Sequence, residues 1–171
     1  MHGLAFDCPQ CNLRHSGLPA LAYGEPAVHL DEAGKQRPFQ KINEDFYIVE
    51  DQHFFVRVVF EIPIIGEGLS LEWGVWGSLS KANFRRYWDS FNDTDQSRIG
   101  AMFSYLSNEL NGYPGSLGLR CGLFPRDDRR RPLLNLDDEQ DHPLVRDHQR
   151  GITAGRAIEL AMPFLHPQGR A

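Results

Sequence analysis

Cys8 and Cys11 stand three apart in Phe6-Asp7-Cys8-Pro9-Gln10-Cys11-Asn12-Leu13-Arg14-His15, and His15 follows four residues later. Thiolate sulfur suits a borderline-soft ion such as zinc. A two-residue spacer lets both sulfurs turn toward one point and preorganises two corners of a tetrahedron. The residue after the second cysteine of such a knuckle often needs a positive φ, which Asn12 adopts at low cost. Cys8, Cys11 and His15 are therefore candidate ligands of a structural zinc ion. A closed site wants four ligands and no second C-x-x-C exists, so the fourth has to come from afar. His142 is the leading candidate, with His29, His148 or water as the others.

Two other readings compete. Cys-Pro-x-Cys resembles the glutaredoxin active-site arrangement, in which a helix N-terminus depresses the pKa of the first thiol. Gly17 and Pro19 arrive too soon for the long helix that chemistry needs, and no βαβ pattern surrounds the pair. The plainer alternative is two reduced thiols packing as small hydrophobes. Cys121, between Leu119 and Leu123 in an apparent strand, reads as a buried, inert thiol. His142 stands at a helix start in Asp141-His142-Pro143-Leu144, where Asp141 can orient its ring or the ring can simply stabilise the turn. No Ser-His-Asp order, phosphate-cradling glycine loop or paired-carboxylate motif stands out.

The elements that must position these residues are short. Phe46 to Glu50 and Phe54 to Ile62 are rich in β-branched and aromatic residues and are joined by three polar ones, which predicts a hairpin. From Leu69 to Leu79 the odd positions are the apolar set, which predicts a half-buried strand with that face inward. Ser80 offers a helix N-cap, and Phe84, Tyr87, Trp88 and Phe91 fall on one stripe that should pack on the sheet. Ala101 to Leu106, Leu117 to Phe124 and Leu133 to Leu136 read as further strands, and Asp31 to Gln36 as a helical turn. A helix over His142 to Gln149 follows Asp141 as its cap and stops at Gly151. Thr153 caps a last helix that buries Ala157, Ile158, Ala161, Phe164 and Leu165. The expected fold is α+β, a mostly antiparallel sheet with two to four packed helices and an N-terminal C-x-x-C knuckle.

Strand parity produces one further constellation. Phe55, Arg57, Val59 and Glu61 share a face, as do Glu72, Gly74, Trp76 and Ser78. If the two faces lie on one side of the sheet, Arg57, Glu61, Glu72 and Trp76 form a patch suited to a protein partner, because Trp and Arg dominate binding hot spots. The competing expectation is that the last helix covers Trp76.

The length of 171 residues, 41% of them hydrophobic, is enough for one core. One domain is expected over 1–171, with the knuckle in 1–19 and the α+β body in 20–171. A net charge of −5 and the absence of clustered Lys and Arg argue against nucleic acid. No segment is apolar for long enough to span a membrane. An odd count of three cysteines without a secretory signal suits a cytoplasmic protein, with metal or redox use of the pair over a disulfide framework.

Phe6-x-Cys8-x-x-Cys11-x-x-x-His15-x-Gly17-Leu18-Pro19 is followed in order by Phe54-Phe55-Val56-Arg57, Glu61-Ile62-Pro63 and Trp73-Gly74-Val75-Trp76-x-Ser78-Leu79-Ser80. Tyr113-Pro114, Arg131-Pro132, His142-Pro143-Leu144 and Gly151-Ile152 complete the series. Together they resemble the bacterial domain-of-unknown-function family 2199. The resemblance implies a small cytosolic bacterial domain with no assigned activity, and marks Arg57, Trp73, Trp76 and His142 as pattern positions. It also implies that relatives carry a cysteine where Phe46 stands, a possible fourth ligand there, and a glycine where Asn12 stands. The function expected is a non-enzymatic protein-binding module with a structural zinc, an immunity-like protein being its narrower form. The alternative is a thiol redox or metal-dependent enzyme acting through Cys8, Cys11 and His15.

Overall fold

The computed structural model describes residues 3–27 and 30–167, so His29 lies outside the described residues. The knuckle is a small two-stranded hairpin, β1 (Ala5–Asp7) with β2 (Arg14–Ser16), antiparallel with Phe6 opposite His15. A larger sheet follows, built from β3 (Leu21–Ala22), β4 (Phe39–Lys41), β5 (Phe46–Val49), β6 (His53–Ile64), β7 (Leu69–Leu79), β8 (Met102–Tyr105), β9 (Arg120–Phe124) and β10 (Leu133–Leu136). Its main path runs β3-β7-β6-β10-β9-β8, while β5 pairs with the first part of β6 and β4 with β5. Three α-helices pack with it: α1 (Lys81–Asp89), α2 (Pro143–Arg150) and α3 (Ala154–Leu165). Among the described residues, no helix is long and apolar enough to cross a membrane.

This is the α+β fold with a knuckle that the sequence predicts, and most of its pairings are antiparallel. Two are not: β10 runs parallel to β6, and β3 parallel to β7. Strand β3 precedes the long central hairpin and β10 comes back to it after an excursion, and periodicity reveals neither direction. The sheet also curls. Leu106, just past β8, bridges Gly77 of β7, and Ser107 N–H donates to the Trp76 carbonyl at 2.9 Å. A Cβ on Gly77 would stand 2.8 Å from Ser104 Oγ and 3.0 Å from Leu123 Cδ1, so glycine is what lets the two edges meet.

The central hairpin explains the core. Eleven successive pairs join β6 and β7, from Phe54 with Leu79 to Ile64 with Leu69. Val56, Val58, Phe60 and Ile62 of β6 and Leu71, Trp73 and Val75 of β7 enter the main core with Leu144, Val145, Ala157, Leu160 and Ala161 of α2 and α3. Ser80 caps α1 by accepting from Asn83 N–H. The predicted aromatic stripe gathers around one ring: Phe46 lies 5.4, 5.6, 4.8 and 4.9 Å, centroid to centroid, from Phe84, Tyr87, Trp88 and Phe91.

Two local expectations are corrected. Residues 31–36 form a turn in which the Asp31 carboxylate accepts from Ala33 and Lys35 N–H, closed by a Leu30–Gln36 bridge, instead of a helical turn. The cap of α2 is His142, not Asp141.

Because Phe46 is fully buried among four rings, Phe46→Ala should cost about 3–5 kcal/mol. Urea unfolding of the folded variant measures it, and zinc content should be unaffected.

Candidate metal centre

The knuckle turn is tied by its own backbone. Cys8 N–H donates to the Leu13 carbonyl and Asn12 N–H to the Cys8 carbonyl, both at 2.9 Å. Asn12 has φ 57°, the left-handed conformation expected there. These bonds turn Cys8 and Cys11 to the same side, and the β1–β2 register brings His15 beside them with its ring stacked on Phe6 at 5.4 Å.

The fourth donor is His166, immediately after α3. One ligand atom each from Cys8, Cys11, His15 and His166 lie within 4.8 Å of one another. Cys8 Sγ is 3.1 Å from His166 Nε2 and Cys11 Sγ is 3.2 Å from His15 Nε2. Zinc bonds of about 2.3 Å to sulfur and about 2.0 Å to nitrogen give tetrahedron edges of roughly 3.3–3.8 Å. The four atoms therefore reach tetrahedral spacing with shifts of a few tenths of an ångström to about 1 Å. Chemistry agrees with geometry, since two thiolates and two neutral imidazoles balance a divalent charge. Cys8 is already biased toward thiolate: burial pushes its pKa up, but hydrogen bonds from the Cys11 and Gln10 backbone and the Cys11 thiol outweigh this and leave it below the ordinary thiol value.

Helix α3 delivers His166. Thr153 Oγ1 caps the helix by accepting from Arg156 N–H, and Ala157, Leu160 and Ala161 anchor it to the core. His166 N–H donates to the Met162 carbonyl at 3.0 Å, so the imidazole leaves from a fixed last turn despite Pro163 within the helix. The cluster thus joins residues 158 apart in sequence.

The other predicted ligands are elsewhere. His142 Nδ1 accepts from Leu144 N–H at 3.0 Å, which leaves Nε2–H to donate to the Pro114 carbonyl at 2.9 Å, so both ring nitrogens are engaged. His148 packs at 5.0 Å from the Phe60 ring. Phe46 belongs to the core against α1, so the ligand position that the family resemblance implies at 46 is not used here. His166 sits outside every motif of the pattern; a histidine followed by Pro167 at the end of an apolar helix was its only signal.

The residues of the expected contact patch do lie on one face of the sheet. Arg57 pairs with Trp76 and Glu61 with Glu72 across β6 and β7, so all four share the outer face. Trp76, however, is 0% exposed. It packs with Tyr47, Val49 and Phe55 in a second cluster, and its Nε1–H donates to the Tyr23 carbonyl at 3.0 Å. Strand β5 and the chain after β3 cover it, not the last helix, and it is withdrawn from any contact surface. Glu72 stays exposed and Glu61 half-exposed.

The chain belongs to the family described as uncharacterized protein conserved in bacteria (DUF2199), whose pattern matches residues 7–152. No curated protein and no solved structure matches it. The matched span holds Cys8, Cys11 and His15 and ends before His166.

Burial pushes the Cys121 thiol up to about 12, so at about pH 8 it stays protonated. Thiol titration of metal-free native protein should count two groups, and a third only after unfolding. Burial also lowers the pKa of His148 from 6.5. The folded state then binds fewer protons than the unfolded chain below pH 6.5. Metal-free protein should lose stability as pH falls through that value, and His148→Phe should flatten the slope in denaturant titrations across the range.

Proposed function

We propose that the protein is a non-enzymatic binding module whose chain ends are clasped by one structural zinc ion held by Cys8, Cys11, His15 and His166. The observation that carries this reading is the convergence of four zinc-type donors within 4.8 Å from the two ends of the chain. Four protein ligands fill a tetrahedron and leave no position for water or substrate, which separates a structural site from a catalytic one. The redox alternative finds less support, since the sulfurs sit on a hairpin turn and not at a helix N-terminus, and an imidazole lies against each of them.

The energetic role follows from sequence separation. Closing a loop of 158 residues removes unfolded-state entropy worth on the order of 4–5 kcal/mol. That is a large share of the 5–15 kcal/mol typical of a domain. Thiolate ligands suit the reducing cytoplasm, where the free cysteines Cys8, Cys11 and Cys121 stay reduced. Binding is assigned to the outer face of β6 and β7, where Arg57, Glu61 and Glu72 remain once Trp76 is accounted for as core.

Protein purified without added zinc should carry one zinc per chain and lose thermal stability on chelation. His166→Ala should weaken zinc binding by roughly tenfold or more, whereas His142→Ala should leave it unchanged. Absence of zinc, or equal effects of the two substitutions in a competition titration, would contradict the clasp.

A further inference from the structure

Arg57 is a buried cation with no carboxylate bonded to it among the described residues. The residue is 9% exposed, yet among the described residues no hydrogen bond or ion pair reaches its side chain, and its buried Nε has no acceptor. Asp45, whose carbonyl accepts the Arg57 backbone N–H at 2.9 Å, has its carboxylate engaged by Arg131 Nε at 2.7 Å. Burial disfavours the Arg57 cation most and the charge of Arg131 adds to this, while the nearby carboxylates of Asp45 and Glu44 offset part of it.

The guanidinium also lies over an aromatic ring. Its Cζ lies 5.6 Å from the centre of the Trp76 ring. A Cβ on Gly74 would come within 3.0 Å of one terminal nitrogen and 3.4 Å of Nε, so glycine at 74 leaves the space the group occupies. A planar fork fixed against an aromatic ring, with its hydrogen-bond donors unspent, is the arrangement that takes oxoanions in two-point contact. Stacking on a ring returns only part of the cost of removing a cation from water, and an apolar side chain would fill the position at less cost.

We propose that Arg57 anchors a binding site for a small oxoanion, a carboxylate or phosphate group, with Arg131 as a second cation beside it. This deepens the binding role assigned to the outer face by naming the chemistry it recognises. The site is small because the Glu61–Glu72 pair lies four residues along the same strands, roughly 13 Å away, and repels an extended polyanion. A single anionic group fits; a nucleic-acid backbone does not.

The test uses full-length, zinc-loaded protein titrated with inorganic phosphate, and separately with acetate, at constant ionic strength set by chloride. Tryptophan fluorescence, to which Trp76 contributes beneath the guanidinium, and the melting temperature are read together. A saturable response should appear for one or both anions, and the stronger one identifies the preferred group. Arg57→Met should weaken it by about tenfold or more while melting no lower than the parent in chloride. Arg57→Lys, which keeps charge but loses the fork, should fall between. Should Arg57→Met fail to fold, Arg131→Gln should weaken the response several-fold. No saturable response up to about 50 mM of either anion, or an undiminished one in the variants, overturns the site. Zinc content of the same sample is measured in parallel: phosphate response without zinc sinks the clasp and spares the anion site, and zinc without response does the reverse.

Discussion

The pairing of β6 with β7 is the constraint on which the rest of the molecule depends. Eleven register-locked pairs fix which side chains face which way, and a slip of one residue would exchange the two faces entirely. Both faces of this hairpin are largely dry. The inner one carries the main core with α1, α2 and α3, and the outer one, toward its β5 end, carries Tyr47, Val49, Phe55 and Trp76. Strands β5 and β10 divide one edge of β6 between them, and β3 runs along β7. The seat of Arg57 over Trp76 is a product of the same register, since a one-residue slip would carry Gly74 and Trp76 to the opposite face.

The ends of the chain lie outside this ladder. Among the described residues, strands β1 and β2 pair only with each other, and a three-residue hairpin is marginal by itself. Phe6 and Cys8 are nonetheless buried, because the knuckle leans on the end of α3 through His166. A metal there would convert a weak contact into a cross-link between the two most separated parts of the sequence. The energetic logic is that of a disulfide closing a long loop, achieved with ligands that remain available in a reducing compartment.

Much of the fold was readable because the signals were local. Alternation over Leu69–Leu79, the Ser80 cap and the aromatic spacing of α1 depend on near neighbours, and each appears in the structure as the pattern implies. The knuckle was readable for the same reason, down to the positive φ of Asn12. What escaped was long-range. The parallel docking of β10 and β3 depends on which edge of the central hairpin each strand joins, and periodicity has no access to that. Trp76 alternates like an outward-facing residue, yet β5 and the chain after β3 bury it from above. His166 carried no motif, and the sequence pointed instead to His142, whose place at a helix start made it conspicuous. That prominence came from capping: one ring nitrogen closes the first turn of α2 and the other holds Pro114.

The central claim is that one metal joins the two ends of the chain through two sulfurs and two imidazoles. X-ray absorption at the zinc edge of the purified protein measures this most directly. The account predicts two sulfur neighbours at about 2.3 Å and two nitrogen neighbours at about 2.0–2.1 Å, with imidazole scattering from two rings that falls to one in His166→Ala. A shell lacking sulfur, or a two-imidazole signal unchanged in His166→Ala, would contradict it.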